Sequence, residues 1–137
     1  MILFKEFEVG DWWKIDDAVE PFSIDQPVDE LTKGISMTAV EDGVVMACGG
    51  IVFENETDGT IWCRVSRKCT DKSFSWARTM REAVNLMMDT LGDLKIHTYI
   101  LDGFCKGDKL ARLIGLKKTN ETEKYKGMMY YKYTAVI

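Results

Sequence analysis

The chain has 137 residues, 46% hydrophobic, 11% aromatic and 29% charged, with two prolines. Such a chain suits one domain spanning residues 1–137, and its composition excludes a disordered or low-complexity protein. The net charge of −4 is unevenly placed: residues 1–63 carry 14 acidic and 3 basic side chains, residues 64–137 carry 8 and 15. This layout reads either as separately solvated faces or as an anion seat in the second half with an acidic lip in the first.

The longest apolar run is Val44 to Phe53, half the roughly 20 residues that a membrane helix needs. Lys5 and Glu6 follow the first apolar residues at once, so no secretory leader is expected and a cytoplasmic protein is. The four cysteines (Cys48, Cys63, Cys69 and Cys105) form no CxxC pair, and His97 is the only histidine. No metal site is expected, and the cysteines read as reduced and mostly buried.

In chain order, Ile2 to Val9 reads as a strand, and Asp11 as the N-cap of a short helix, Trp12 to Val19. Pro21, Ser23, Asp25, Gln26 and Pro27 mark a loop, and Asp29 to Lys33 one more helical turn. Ile35 to Val40 and Val44 to Phe53 form a hairpin around Glu41-Asp42-Gly43. Gly49-Gly50 inside the second of these strands implies a bulge or a close backbone approach. Thr60 to Val65 makes a third strand. From Ser75 to Leu91, the apolar Trp76, Met80, Ala83, Val84, Met87 and Leu91 recur at steps that define one helix face. Lys95 to Leu101 is a strand, Lys106 to Ile114 a helix, Leu116 to Thr119 extended, and Met128 to Ile137 a final strand rich in tyrosine. A strand-helix-strand unit over 60–101 predicts a parallel pair with a right-handed crossover, hence an α/β fold with a mixed α+β sheet.

This order of elements resembles the GNAT acyltransferase superfamily. Its landmarks here are the strand ending at Val65, the segment Ser66 to Ser75, the helix from Trp76, and Lys106 to Leu116, which is similar to the family's fourth helix. Cys48-Gly49-Gly50, Ile61-Trp62 and the short fourth helix look most like small GNAT-like proteins of tailed bacteriophages, which would place the chain in a host cytoplasm. The resemblance implies a GNAT-like acyl-CoA N-acyltransferase fold, acetyl-CoA as cofactor, and an amine acceptor on a small molecule or a protein lysine. It implies Val65 and Ser66 against the pantetheine, and Lys72, Ser73, Phe74, Ser75 and Trp76 around the pyrophosphate. The alternative is a degenerate relative that binds a host or virion protein.

Two departures bear on activity. The family's phosphate loop is glycine-rich, so that backbone can approach phosphate closely, whereas Arg67 to Trp76 contains no glycine. Ser73 and Ser75 are small enough to substitute, with Lys72 supplying charge. Where many members carry an acid tyrosine in the fourth helix, this chain has Ala111; Tyr99, His97, Tyr130 and Tyr131 are the candidates to replace it, and the catalytic residues stay unassigned. His97, alone in a strand, reads first as a packed or hydrogen-bonded residue. Cys105 lacks a histidine partner for nucleophilic chemistry. Trp12-Trp13 reads as core packing of one ring or a binding platform. The tyrosine- and lysine-rich C-terminal region follows strand alternation, so neither nucleic acid nor membrane is an expected partner. An exposed final strand would allow edge-to-edge pairing in a homodimer.

Overall fold

The computed structural model describes residues 2–19, 27–71, 73–92 and 94–136, without the side chains at positions 70, 71, 73–75, 77 and 136. The elements are β1 (Ile2–Glu6), α1 (Val9–Lys14), a 3-10 turn (Val28–Thr32), β2 (Gly34–Glu41), β3 (Val44–Phe53), β4 (Asp58–Val65), α2 (Arg67–Asp71), α3 (Ser73–Leu91), β5 (Lys95–Leu101), α4 (Cys105–Leu113), β6 (Lys117–Tyr125) and β7 (Met128–Val136). Seven strands form one mixed sheet in the order β1-β2-β3-β4-β5-β7-β6. Among the described strands only β4 and β5 run parallel, joined by α3 as the crossover. No helix among the described residues is long and apolar enough to cross a membrane.

Local chemistry explains most of these elements. Asp42 and Gly43 both adopt positive φ (51° and 80°), the mirror-image turn that matches the twist of a hairpin. The chain approach expected at Gly49-Gly50 is real: a Cβ on Gly50 would lie 2.3 Å from the Ile35 carbonyl oxygen. The register irregularity falls elsewhere, between Ala39 and Val40.

Three expectations change. The first helix begins at Val9, not Trp12, because Asp11 sits inside it and accepts the Glu8 backbone N–H (3.0 Å). It ends at Lys14 because Ile15 turns extended and the Arg64 guanidinium takes the Trp12 and Ile15 carbonyls (3.0 and 2.8 Å). The final strand is not an edge: β6 runs on to Tyr125 and turns at Lys126-Gly127, so β7 inserts between β5 and β6. Edge-to-edge dimerisation through β7 is therefore closed. The loop expected at residues 21–26 lies outside the described residues.

The two faces of the sheet bury different cores. On the front, with α1 and the 3-10 turn, Phe7, Ile15, Leu31, Cys48 and Trp62 pack together. On the back, Ile51, Ile61, Val84, Met87, Ile96 and Ala111 form one cluster under α3 and α4, and Ala39, Ala47, Val65, Cys69 and Trp76 another. Tyr131 and Tyr133 point to the back core, as the strand alternation requires.

Candidate active site

The site begins where two parallel strands stop pairing. β4 and β5 pair only through Asp58–Lys95, Gly59–Ile96 and Thr60–His97, although β4 continues to Val65 and β5 to Leu101. Beyond Thr60–His97 they part into a V. The Ser66 N–H donates to the Met46 carbonyl (2.8 Å), so Ser66, Arg64 and Trp62 bond toward β3. Alternation then turns the peptide groups of Ile61, Cys63 and Val65 toward the open side of the V.

Behind the vertex lies an apolar cavity of about 100 Å³, with Ile61, Cys63, Thr98 and Ile100 on its strand side and Trp76, Met80, Ala83 and Ala111 on its helix side. Burial pushes the Cys63 thiol up to about 12, and the Cys48 thiol likewise to about 12. Both are inert side chains at neutral pH. Trp76 is 2% exposed, and its indole N–H finds no acceptor among the described residues.

On the front of the same vertex stands a polar cluster that alternation alone does not reveal. Glu54, from the β3–β4 turn, accepts the Thr60 hydroxyl (2.5 Å) and lies 3.1 Å from Nε2 of His97. Thr60 and His97 are 3.3 Å apart, and Tyr99 packs edge-on against the imidazole. The cluster is the last cross-strand contact before the V opens. It sets the His97 imidazole against the Glu54 carboxylate on the front of the vertex.

The front floor is fixed by a second network. Asp11, fully buried, accepts the Thr38 hydroxyl (2.8 Å), the Glu8 N–H and Lys5 Nζ (3.1 Å). Burial pushes its pKa up, but these donors outweigh that and hold the carboxyl below its ordinary value. Arg64 lies 4.7 Å over the Trp12 ring, and Trp12 packs against Trp62. Trp13, at 67% exposed, faces solvent.

At the mouth of the V the chain crosses from front to back. Val65 is buried; its carbonyl accepts the Val19 N–H (2.8 Å), and Ala18 bridges Ser66. Ser66 donates its hydroxyl to Asp17 (2.9 Å), and Arg67 N–H donates to the Asp17 carbonyl (3.1 Å). Residues 67–71, read as part of a phosphate loop, form helix α2. Lys72 lies outside the described residues; Ser73, Phe74 and Ser75 occupy the first turn of α3, their side chains undescribed. The Trp76 side chain packs into the back core.

The fourth helix is locked rather than reactive. The Tyr133 hydroxyl donates to Asp108 (2.5 Å), which also binds Arg112 Nε (3.0 Å). Those donors lower the Asp108 pKa, while burial and Asp108 raise that of Tyr133. Ala111, on the same helix, is buried.

No family model and no curated protein matches the sequence. The fold, by contrast, is similar to many solved acetyltransferases. A GNAT-family acetyltransferase from Streptococcus pneumoniae matches with a TM-score of 0.74 at 12% identity, covering 100% of this chain and 99% of that one. Ard1 from Thermoplasma volcanium matches at 0.75 and 10%, covering 99% and 97%. Mutant forms of a spermidine/spermine N-acetyltransferase from Vibrio cholerae match at 0.70 and 11%, covering 99% and 95%. The chain therefore has the GNAT fold.

Proposed function

We propose that this protein is a GNAT-fold N-acyltransferase, moving an acyl group from acetyl-CoA or a related thioester to an amine. The observation that carries this reading is the parting of β4 from β5 after Thr60–His97. It leaves a strand edge against which an extended thioester arm can pair like an added strand. Three features fit an acyl-CoA. The peptide groups of Ile61 and Cys63 face the V, while that of Val65, further out, is taken by the Val19 N–H, so residues 17–19 cap the edge at its mouth. The space behind the vertex is apolar. The N-terminus of the 19-residue α3 is a positive helix end that favours a pyrophosphate, and this reading assigns Lys72, Ser73, Phe74, Ser75 and the Trp76 backbone to it.

The bound thioester supplies an activated carbonyl. A β4 peptide N–H donates to its oxygen as negative charge develops. His97, steadied by Glu54, takes the proton of an amine approaching from the front. The acidic first half favours a cationic acceptor, a polyamine or a lysine side chain. The similarity to a spermidine/spermine acetyltransferase is in keeping with that class. With Ala111 in α4 and Tyr133 committed to Asp108, the leaving thiolate takes its proton from solvent.

Two observations favour a second reading. The buried Ala111 and the glycine-free residues 67–76 suit a GNAT-like protein without catalysis that binds a host or virion protein. Titration calorimetry with CoA and acetyl-CoA separates the two. Micromolar binding supports the acyltransferase; none at millimolar ligand leaves the second. Lys72→Glu is expected to weaken CoA binding while leaving the fold intact, and an unchanged affinity removes the phosphate seat from that position.

A further inference from the structure

The sheet floor beneath the first half of α3 is made of small residues in adjacent rows. Phe4, Ala39, Ala47 and Val65 stand side by side across β1 to β4; one step along, so do Met37, Gly49 and Cys63. Ala39, Ala47, Gly49 and Cys63 remove volume where α3 lays down Trp76, Met80 and Ala83. The cavity of about 100 Å³ is what remains. Natural interiors close-pack, and voids in them cost stability, so a gap built from four neighbouring small residues calls for an occupant.

The position of the cavity names the occupant. It runs from Phe4 to the vertex, where Ile61 and Thr98 line it just past the last β4–β5 pair. A carbonyl bound to β4 at the vertex therefore has its substituent at the cavity entrance. The cavity is open on one side and its lining is apolar, so a hydrocarbon chain can enter it from outside; an apolar cavity of about 150 Å³ holds a six-carbon ring.

We propose that this cavity is an acyl-chain pocket, and that the preferred donor is an unbranched acyl-CoA of about four to six carbons rather than acetyl-CoA. This rests on the acyl-CoA reading above and adds the identity of the donor. On transfer the C–S bond breaks as the C–N bond forms; the electron pair stays on the CoA sulfur, which gains a proton while the amine loses one. Ala47 and Ala83 are the residues that set the usable depth, from the floor and from the helix.

Binding tests the assignment without needing an acceptor. Calorimetry on the full chain compares CoA, acetyl-CoA, butyryl-CoA and hexanoyl-CoA. Each buried methylene strengthens binding by about fourfold, so butyryl-CoA, with two more, is expected to bind roughly fifteenfold more tightly than acetyl-CoA. Ala83→Leu and, independently, Ala47→Leu are expected to erase that advantage while CoA itself binds as before. Two variants on different elements guard against one that fails to fold. If CoA binds but butyryl-CoA binds no better than acetyl-CoA, the pocket assignment is wrong and the acyltransferase reading survives. If the filled variants keep the preference, the chain lies elsewhere. If no CoA species binds, the acyl-CoA reading falls and takes the pocket with it.

Discussion

The two faces of β4 are built on opposite rules. Its front face (Thr60, Trp62 and Arg64) is rich in partners: Glu54 and His97, two aromatic rings, and two carbonyls of the α1 region, although the Trp62 indole N–H finds no acceptor among the described residues. Its back face (Ile61, Cys63 and Val65) is apolar and borders a cavity. The front uses directional bonds to fix one position for α1 and its acidic surroundings. The back uses small side chains to leave room. One strand thus supplies rigidity on one side and volume on the other, because successive residues point opposite ways.

Mutations can break this contrast. Gly50→Ala, on the front-facing register, places a Cβ 2.3 Å from the Ile35 carbonyl oxygen, where only backbone can yield. We expect a loss of about 3 kcal/mol or more in chemical denaturation. Asp11→Asn removes the charge that Lys5, Thr38 and Glu8 share and is expected to cost about 2 kcal/mol. Its pH signature has a definite sign. The folded carboxyl titrates below its ordinary value. Its stabilisation is therefore present above the unfolded pKa and lost as pH falls through the folded one. Wild type should lose stability below about pH 4, and the Asn variant should show a shallower acid limb by circular dichroism. Equal limbs would remove Asp11 from the acid response.

Smaller effects sharpen the comparison. Arg64→Met keeps the stem over Trp12 but loses both carbonyl bonds, at about 1 kcal/mol. On the back face, Ala47→Leu should change stability by less than about 1 kcal/mol, since the added carbons enter existing space; a loss as large as that of Gly50→Ala would show that no such space exists. Last, a maleimide should label exposed Cys105 in the native protein and leave buried Cys48 and Cys69 unmodified until unfolding. Mass spectrometry of the labelled chain reads the difference.

Regular periodicity made the back half of the fold legible. The step pattern from Trp76 to Leu91 marked α3 and its buried face, and the β-branched run marked β3 at its true bounds. The start of α1 was not legible: Asp11 has the chemistry of a cap, yet it sits in the first turn, bonded back to the Glu8 N–H and held there by Lys5 and Thr38. The β7 position was hidden too, because sheet order depends on how a hairpin docks rather than on its residues. At the site, the parallel pairing of β4 with β5 followed from the strand-helix-strand unit, but their parting after Thr60–His97 did not, and Glu54 and Thr60 carried no motif. They meet His97 only through a turn and a parallel register. Small residues at Ala39, Ala47 and Gly49 were the one sequence signal of the cavity, and on a single strand they look like ordinary packing.

Cys63 has a kinetic consequence. It is the thiol on the cavity wall nearest in register to the vertex, and burial keeps it protonated up to about pH 12. A protonated thiol cannot hold an acyl group between two half-reactions. On the acyltransfer proposed above, donor and acceptor then occupy the protein together, one on each side of the sheet. Initial-rate plots against the two substrates should intersect rather than run parallel, and no acylated protein should accumulate when the acceptor is withheld.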